Sequence, residues 1–214
     1  MADPGDTRRR WSDYYTAKRI GQQWLQVDLL NGLPGTRVLE IGPYLGLVTA
    51  MLAHAGYDVT TLDHGPRLFA RPVTPHIEAD LLTLDPERIR GFDAILCCET
   101  LEHLPWARVP AVLGTLHASG AANLVVSVPY EAFQIRLSFY ANRHHVEHAL
   151  QFKKLRFLRR FRPDGTPGGH KWEIGYRGHS LRAWERTLTG AGWRIARRAF
   201  THPCRSVFHV LARR

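Results

Sequence analysis

The feature that most constrains this chain is a pair of short apolar runs, Arg37-Val38-Leu39-Glu40-Ile41 and Asp58-Val59-Thr60-Thr61-Leu62-Asp63. A glycine-bearing turn and a helical stretch from Leu45 to Ala55 separate them. Strand, crossover helix and strand make a βαβ unit, and a connection of that length brings the second strand in parallel to the first. The pattern then repeats. His76-Ile77-Glu78-Ala79-Asp80, Phe92 to Cys98 and Asn123 to Val128 are further apolar runs with helical stretches between them. Such alternation predicts an α/β fold with a Rossmann-like, doubly wound, mostly parallel sheet. The end breaks the rule. Trp193 to Phe200 and Val207 to Leu211 are joined only by a short polar turn, which predicts an antiparallel C-terminal strand pair.

The 214 residues suit one domain, expected over 1–214 with two additions. Tyr15, Ile20, Trp24, Val27 and Leu30 fall at three- and four-residue spacings, which predicts one helix from about Trp11 to Leu30 within an N-terminal cap spanning about 8–32. Between Pro129 and about Ser180 the alternation lapses into an aromatic, basic stretch followed by Pro163-Asp164-Gly165-Thr166-Pro167-Gly168-Gly169, expected to form a lid over about 131–180. The start, Met1-Ala2-Asp3-Pro4-Gly5-Asp6, lacks an apolar leader core, and no apolar run approaches the ~20 residues that span a bilayer. A cytoplasmic location is expected. Cys97 and Cys98 are adjacent and would point to opposite faces of a buried strand, while Cys204 stands alone, so neither a disulfide framework nor a zinc spacing follows.

Glu40-Ile41-Gly42-Pro43-Tyr44-Leu45-Gly46 falls at the first strand-to-helix turn, where glycine permits close approach of a ligand and a helix N-terminus offers free N–H groups. Asp63 closes the second strand about 20 residues later, the place of a carboxylate that accepts ribose hydroxyls. Asp80 follows the third strand, where an acid can take an adenine amino group. In this order the features resemble class I S-adenosylmethionine-dependent methyltransferases over about residues 36–130. The resemblance implies that Glu40, Gly42, Tyr44 and Gly46 line the methionine end of the cofactor, Asp63 its ribose, and Asp80 with Leu81 its adenine, with Glu99 beside them. A nicotinamide-binding fingerprint would need a glycine at position 44, where Tyr44 would crowd a pyrophosphate.

Glu99-Thr100-Leu101-Glu102-His103-Leu104-Pro105 follows the fourth strand, where a doubly wound sheet opens its ligand crevice. It resembles the Leu-Glu-His-Leu-Pro segment common in that superfamily. His170-Lys171-Trp172-Glu173-Ile174-Gly175 is similar to a bacterial methyltransferase group with a His-x-Trp-Glu-Ile-Gly segment before the last helix. His103 and His170 are the candidate bases for deprotonating an acceptor hydroxyl. The plain alternative has His103 packing beneath its loop and His170 bonded to Glu173. Glu99, Glu102, His103 and His170 together resemble, more weakly, the two-Glu, two-His metal site of small-RNA 2′-O-methyltransferases. No metal ligand is assigned, and a divalent ion is the less favoured cofactor beside S-adenosylmethionine.

The leading expectation is methyl transfer to an oxygen or nitrogen of a small or medium-sized acceptor. The alternatives are a metal-dependent RNA 2′-O-methyltransferase and a non-catalytic, cofactor-binding interaction module. A net charge of +10 and the run Lys153, Lys154, Arg156, Arg159, Arg160 and Arg162 among Phe152, Leu155, Phe157, Leu158 and Phe161 leave nucleic acid or a peripheral anionic membrane as partners. A charge run of this kind is also what a solvated face looks like. Tyr14, Tyr15 and Arg19 are expected either over the cofactor or in the core.

Overall fold

A computed structural model describes residues 4–153, 155–163, 165–166 and 168–214. The predicted positions Met1 to Asp3, Lys154, Asp164 and Pro167 lie outside the described residues. Five strands follow the sequence reading: β1 (Arg37–Ile41), β2 (Asp58–Asp63), β3 (His76–Glu78), β4 (Ala94–Cys98) and β5 (Asn123–Pro129). They are parallel throughout, with α3 (Leu47–His54) and α4 (Val109–Ala118) in the crossovers. Then α5 (Leu181–Gly190), β8 (Trp193–Phe200) and β9 (Ser206–Arg213) complete a seven-stranded sheet of order β3-β2-β1-β4-β5-β9-β8. Only β9 runs against its neighbours, pairing antiparallel with both β5 and β8, as its short turn requires. Thr201 makes that turn, its hydroxyl accepting from Arg205 N at 2.8 Å and Ser206 N at 3.1 Å.

Helices cover both faces, which is why the central strands β4 and β5 are buried at every position. Along β4 the buried side chains alternate between two cores. Ile95 and Cys97 join one with Leu39, Leu113 and Val126, whereas Ala94, Leu96 and Cys98 join the other with Val38, Leu52 and Val125. The two cysteines therefore diverge as expected. The first core also holds Trp172, Trp184 and Trp193, all fully buried, and each indole N–H is satisfied: by Leu104 O at 3.0 Å, His209 Nδ1 at 3.4 Å and Leu113 O at 3.2 Å. Buried indoles with satisfied donors contribute apolar area without leaving a polar atom stranded.

Two expectations are corrected. The single helix from Trp11 to Leu30 is two, α1 (Pro4–Tyr14) and α2 (Ala17–Leu30). Thr16 breaks it by turning extended and accepting a cap bond from Arg19 N at 3.4 Å, while Tyr15 is buried between them. The stretch after Pro129, read as irregular, contains a β-hairpin of β6 (Gln134–Ala141) and β7 (Val146–Lys153) in a separate two-stranded sheet. Its root is tied down. Glu131 N donates to Ile174 O at 2.7 Å, Arg156 pairs with Glu131 at 3.2 Å, and Gly175 lies so close beneath Ala132 that a Cβ there would sit 2.3 Å from Ala132 N.

Gly175 has φ +110°, so Gly175→Ala combines an unfavourable backbone with a backbone collision and should cost at least about 2 kcal/mol in urea unfolding. Gly21→Ala, inside α2 with open space around it, should instead gain roughly 0.5–1 kcal/mol.

Candidate active site

The strand order turns at β1 and β4: from β1 the chain adds β2 and β3 on one side, and from β4 it adds β5 on the other. Loops leaving the carboxyl ends of these strands diverge there and leave a crevice. It is a cleft of about 730 Å³, lined among others by Glu40, Gly42, Tyr44, Asp63, Asp80, Leu81, Glu99 and His103. So eight positions singled out from the sequence meet in one cavity. Gly46 does not line it. It opens α3 from behind the turn, under the Phe69 ring.

Glu40 is buried within β1 and accepts from Thr49 Oγ1 at 2.6 Å. Removal from water disfavours its charged form and pushes its pKa up to about 7, despite the opposing Thr49 bond. Gly42 has φ +73°, and a Cβ there would lie 2.7 Å from Thr100 Oγ1, so glycine lets the loop after β4 close against the turn after β1. Tyr44 takes φ +48°, a left-handed conformation that costs a non-glycine residue energy and is found disproportionately at functional sites. Its ring packs on Tyr14, with centroids 4.5 Å apart, and the Arg19 guanidinium lies 4.0 Å from the Tyr14 ring centroid. Tyr15 faces the other way, its hydroxyl accepting from Leu47 N at 3.3 Å at the head of α3. The two tyrosines thus divide the roles expected of them between cleft and core. Asp63 accepts from the backbone N and ring Nδ1 of His64, both at 2.7 Å, and Asp80 turns its own loop by accepting from Leu82 N at 2.9 Å.

Beyond β4, Glu99 also holds a positive φ, +50°, and accepts from Ser127 Oγ at 2.9 Å. Burial raises its pKa, against the lowering effect of hydrogen bonds from Ser127, Ser206 and Gln22. Glu102 is fully buried, and neither carboxylate oxygen has a hydrogen-bond partner. Burial first, then the nearby Glu99 charge, drives its pKa well above the usual carboxylate range. The segment from His170 docks directly onto it. Lys171 N donates to Glu102 O at 2.7 Å, and Trp172 Nε1 donates to Leu104 O, so the two motifs read separately from the sequence are bonded to each other.

His170 bonds Glu173 through Nδ1 at 2.9 Å, as the plain reading had it, but its Nε2 points at Glu102 Oε1, 4.0 Å away. With Nδ1 donating to Glu173, Nε2 carries a lone pair and faces the Glu102 carboxyl group across a gap too long for a hydrogen bond. His103 stands beside them, its ring 5.1 Å from that of His170 and its buried Nδ1 unpartnered. Ligand atoms of Glu102, His103 and His170 lie within 4.8 Å of one another, while Glu99 is engaged next door. The sequence reading overlooked Gln22 and Gln26 of α2, which also line the cleft. Glutamines four apart on an otherwise apolar-faced helix, with Gln26 only 8% exposed, were the available signal.

With this geometry in place, the chain can be compared with known proteins. It is 28% identical over 166 residues to a ubiquinone biosynthesis O-methyltransferase of Xanthomonas campestris, an alignment covering 72% of this chain and 62% of that enzyme. The chain thus spans less than two thirds of the relative's length. A magnesium protoporphyrin IX methyltransferase from Synechocystis, solved with S-adenosylhomocysteine, matches at TM-score 0.60 and 19% identity, covering 98% of this chain and 94% of that one. The chain has the fold of the S-adenosylmethionine-dependent methyltransferases. A second structure with this fold, the 1,6-didemethyltoxoflavin-N1-methyltransferase of Burkholderia thailandensis, matches at TM-score 0.58 and 18% identity, covering 98% of this chain and 83% of that one. No protein-family model matches the methyltransferase-fold chain. Among its described residues no helix is long and apolar enough to cross a membrane.

Because burial raises the Glu40 pKa from 4.5 to about 7, the folded protein holds a proton there that the unfolded chain releases. The associated stability is fully present below pH 4.5 and lost as pH rises to about 7. Glu40→Gln should remove a component on the order of 3 kcal/mol from the pH dependence in that window, checked by urea titrations of both proteins at several pH values.

Proposed function

We propose that this chain binds S-adenosylmethionine in the cleft and transfers its methyl group to an oxygen or nitrogen of a small or medium-sized acceptor. The observation that carries the reading is the convergence of Glu40, Asp63 and Asp80 on one cavity at the strand-order reversal, with His103 also in its lining. The O- and N-methyltransferases that resemble the chain support the acceptor class.

S-adenosylmethionine supplies an already activated methyl group on a sulfonium. The protein therefore has to place its ligand, align an acceptor atom and, for a hydroxyl, take a proton. Glu40 at the floor offers a carboxylate to an ammonium, whose positive charge would lower the raised Glu40 pKa so that the carboxyl releases its proton to solvent. Asp63 offers oxygens to a ribose diol, and Leu81 with Leu68 gives an apolar slot for a base. Tyr14, stacked on Tyr44 and backed by Arg19, narrows the opening. His103 has a lowered pKa, mainly from burial and then from the neighbouring His170, so it is neutral at pH 7 and able to accept a proton. Of the segment over about 131–180, Gly168 reaches the lining of the cleft.

Calorimetric titration with S-adenosylmethionine, S-adenosylhomocysteine and NADH tests this directly. Micromolar affinity for the two sulfur ligands, none for NADH, and at least a roughly tenfold loss in Asp63→Ala are expected, since a charged hydrogen bond to a diol is worth about 1.5–3 kcal/mol. Absence of binding by either sulfur ligand would overturn the reading.

A second reading rests on one specific observation, the stranded carboxylate of Glu102 between two imidazoles. A buried carboxyl group without a hydrogen-bond partner is expensive, and the donor set of one carboxylate and two histidines suits a hard or borderline divalent ion, Mn²⁺ among them. Glu173 on the far nitrogen of His170 then orients that ring as outer partners of metal-bound histidines do. Glu102, His103 and His170 would hold the ion, which supplies a Lewis acid for activating a hydroxyl of a diol, as in RNA ribose methylation. Under this reading Mn²⁺ raises the melting temperature of the native chain and not that of Glu102→Met, whereas the metal-free variant melts above the metal-free native chain because an unpartnered buried group costing about 1–3 kcal/mol is gone. Equal melting with and without Mn²⁺ in the native chain would leave only the metal-independent reading.

A further inference from the structure

In the hairpin, directly paired residues share a face, so Ile135 lies with Phe152, Leu137 with Leu150, and Phe139 and Val146 continue the same side. That whole side is bare. Ile135, Val146 and Phe152 are 60–62% exposed, and Leu137, Phe139 and Leu150 are each 76% exposed. Strands in water normally bury such a face, and a contiguous apolar surface on this scale marks an interaction site. The opposite side carries Arg136, Ser138, Tyr140 and Glu147. The chain that follows keeps the same character: Phe157 and Leu158 are exposed, next to exposed Arg159, Arg160 and Arg162. From Gln134 to Pro163 the sole acid in the sequence is Glu147.

We propose that the β6–β7 hairpin is a membrane-docking element that lays its apolar face into the interface of an anionic lipid bilayer, with the arginines around it on the phosphates. Charge selects this occupant. A second copy would bring the same arginine-bordered surface of a +10 chain against itself, with Glu147 alone to offset it. A nucleic acid would satisfy the arginines but leave Ile135, Leu137 and Leu150 in water, because aliphatic side chains give bases nothing to stack on. An anionic bilayer accepts both, taking aliphatic and aromatic groups at the acyl boundary and cations at the headgroups. The hairpin springs from the carboxyl end of β5, the end of the sheet at which the cleft opens, so docking holds the cleft near the lipid surface. The inference does not depend on which acceptor is methylated.

Co-sedimentation of the full chain with phosphatidylcholine vesicles, with and without phosphatidylglycerol, tests it. Binding is expected only with phosphatidylglycerol present, weakened at least about tenfold in Leu137→Asp/Leu150→Asp and in Arg159→Glu/Arg160→Glu. Ser138→Asp, exposed on the other side of the hairpin, should weaken it far less. All these positions are exposed, so melting temperatures should stay close to that of the native chain and show that the variants fold. No binding to the anionic vesicles overturns the proposal, as does binding that Leu137→Asp/Leu150→Asp leaves unchanged. So does a dimer in sedimentation velocity that the same double variant dissociates, with no vesicle binding, or RNA binding that the vesicles do not compete away.

Discussion

The reversal of strand order between β1 and β4 is the constraint on which the molecule rests. Parallel strands need helical crossovers, and crossovers on both faces leave no strand edge or face for water until the chain runs out of parallel partners. The sheet therefore closes its far side with β9, inserted antiparallel between β5 and β8. The only place where the loops must part is over the ends of β1 and β4. Gly42 and Thr100 meet there with no room for a side chain on the glycine, so the cleft floor is rigid before any ligand arrives.

That floor concentrates negative charge in a chain that is otherwise strongly basic. Glu40, Glu99 and Glu102 are all taken from water within a few strands of each other, and each is pushed toward its neutral form by that burial. They differ in compensation. The Glu40 carboxyl has Thr49, that of Glu99 has Ser127, and neither carboxyl oxygen of Glu102 has a hydrogen-bond partner. Folding gains nothing from such an arrangement, since apolar residues of equal volume would pack as well without the desolvation penalty. Glu40 and Glu99 line the cleft and Glu102 lies just behind it, so the desolvation cost gathers at the one place where the strand order reverses.

Much of this was legible in the residues. Strands buried on both faces read as largely apolar runs, and β1 and β2 begin and end where their sequence pattern does. The cofactor-side positions were legible because each sits at a fixed offset from a strand end. The break at Thr16 was not, because Tyr15 and Ile20 continue the apolar spacing across it and only the cap bond to Arg19 decides against one helix. The hairpin carried a readable signal in the alternation of Ile135, Leu137 and Phe139, but Asn142-Arg143-His144-His145 has none of the glycine turn chemistry that announces a hairpin, and the basic residues drew the eye to charge instead. The juxtaposition of Glu102 and His170 came from the resemblance to a two-Glu, two-His site and not from spacing, because it depends on Trp172 reaching Leu104 across the fold.

Trp172 also joins the two unusual regions of the molecule. Its segment is held at one end by Glu102, through Lys171 N, and at the other by the hairpin root, through Ile174 O and the close fit of Gly175 under Ala132. Between those points Trp172 and Ile174 are fully buried while Glu173 turns to the ring of His170. Close-packed interiors have low compressibility and transmit strain, so one short, buried stretch of backbone both carries His170 and anchors the root of the exposed hairpin.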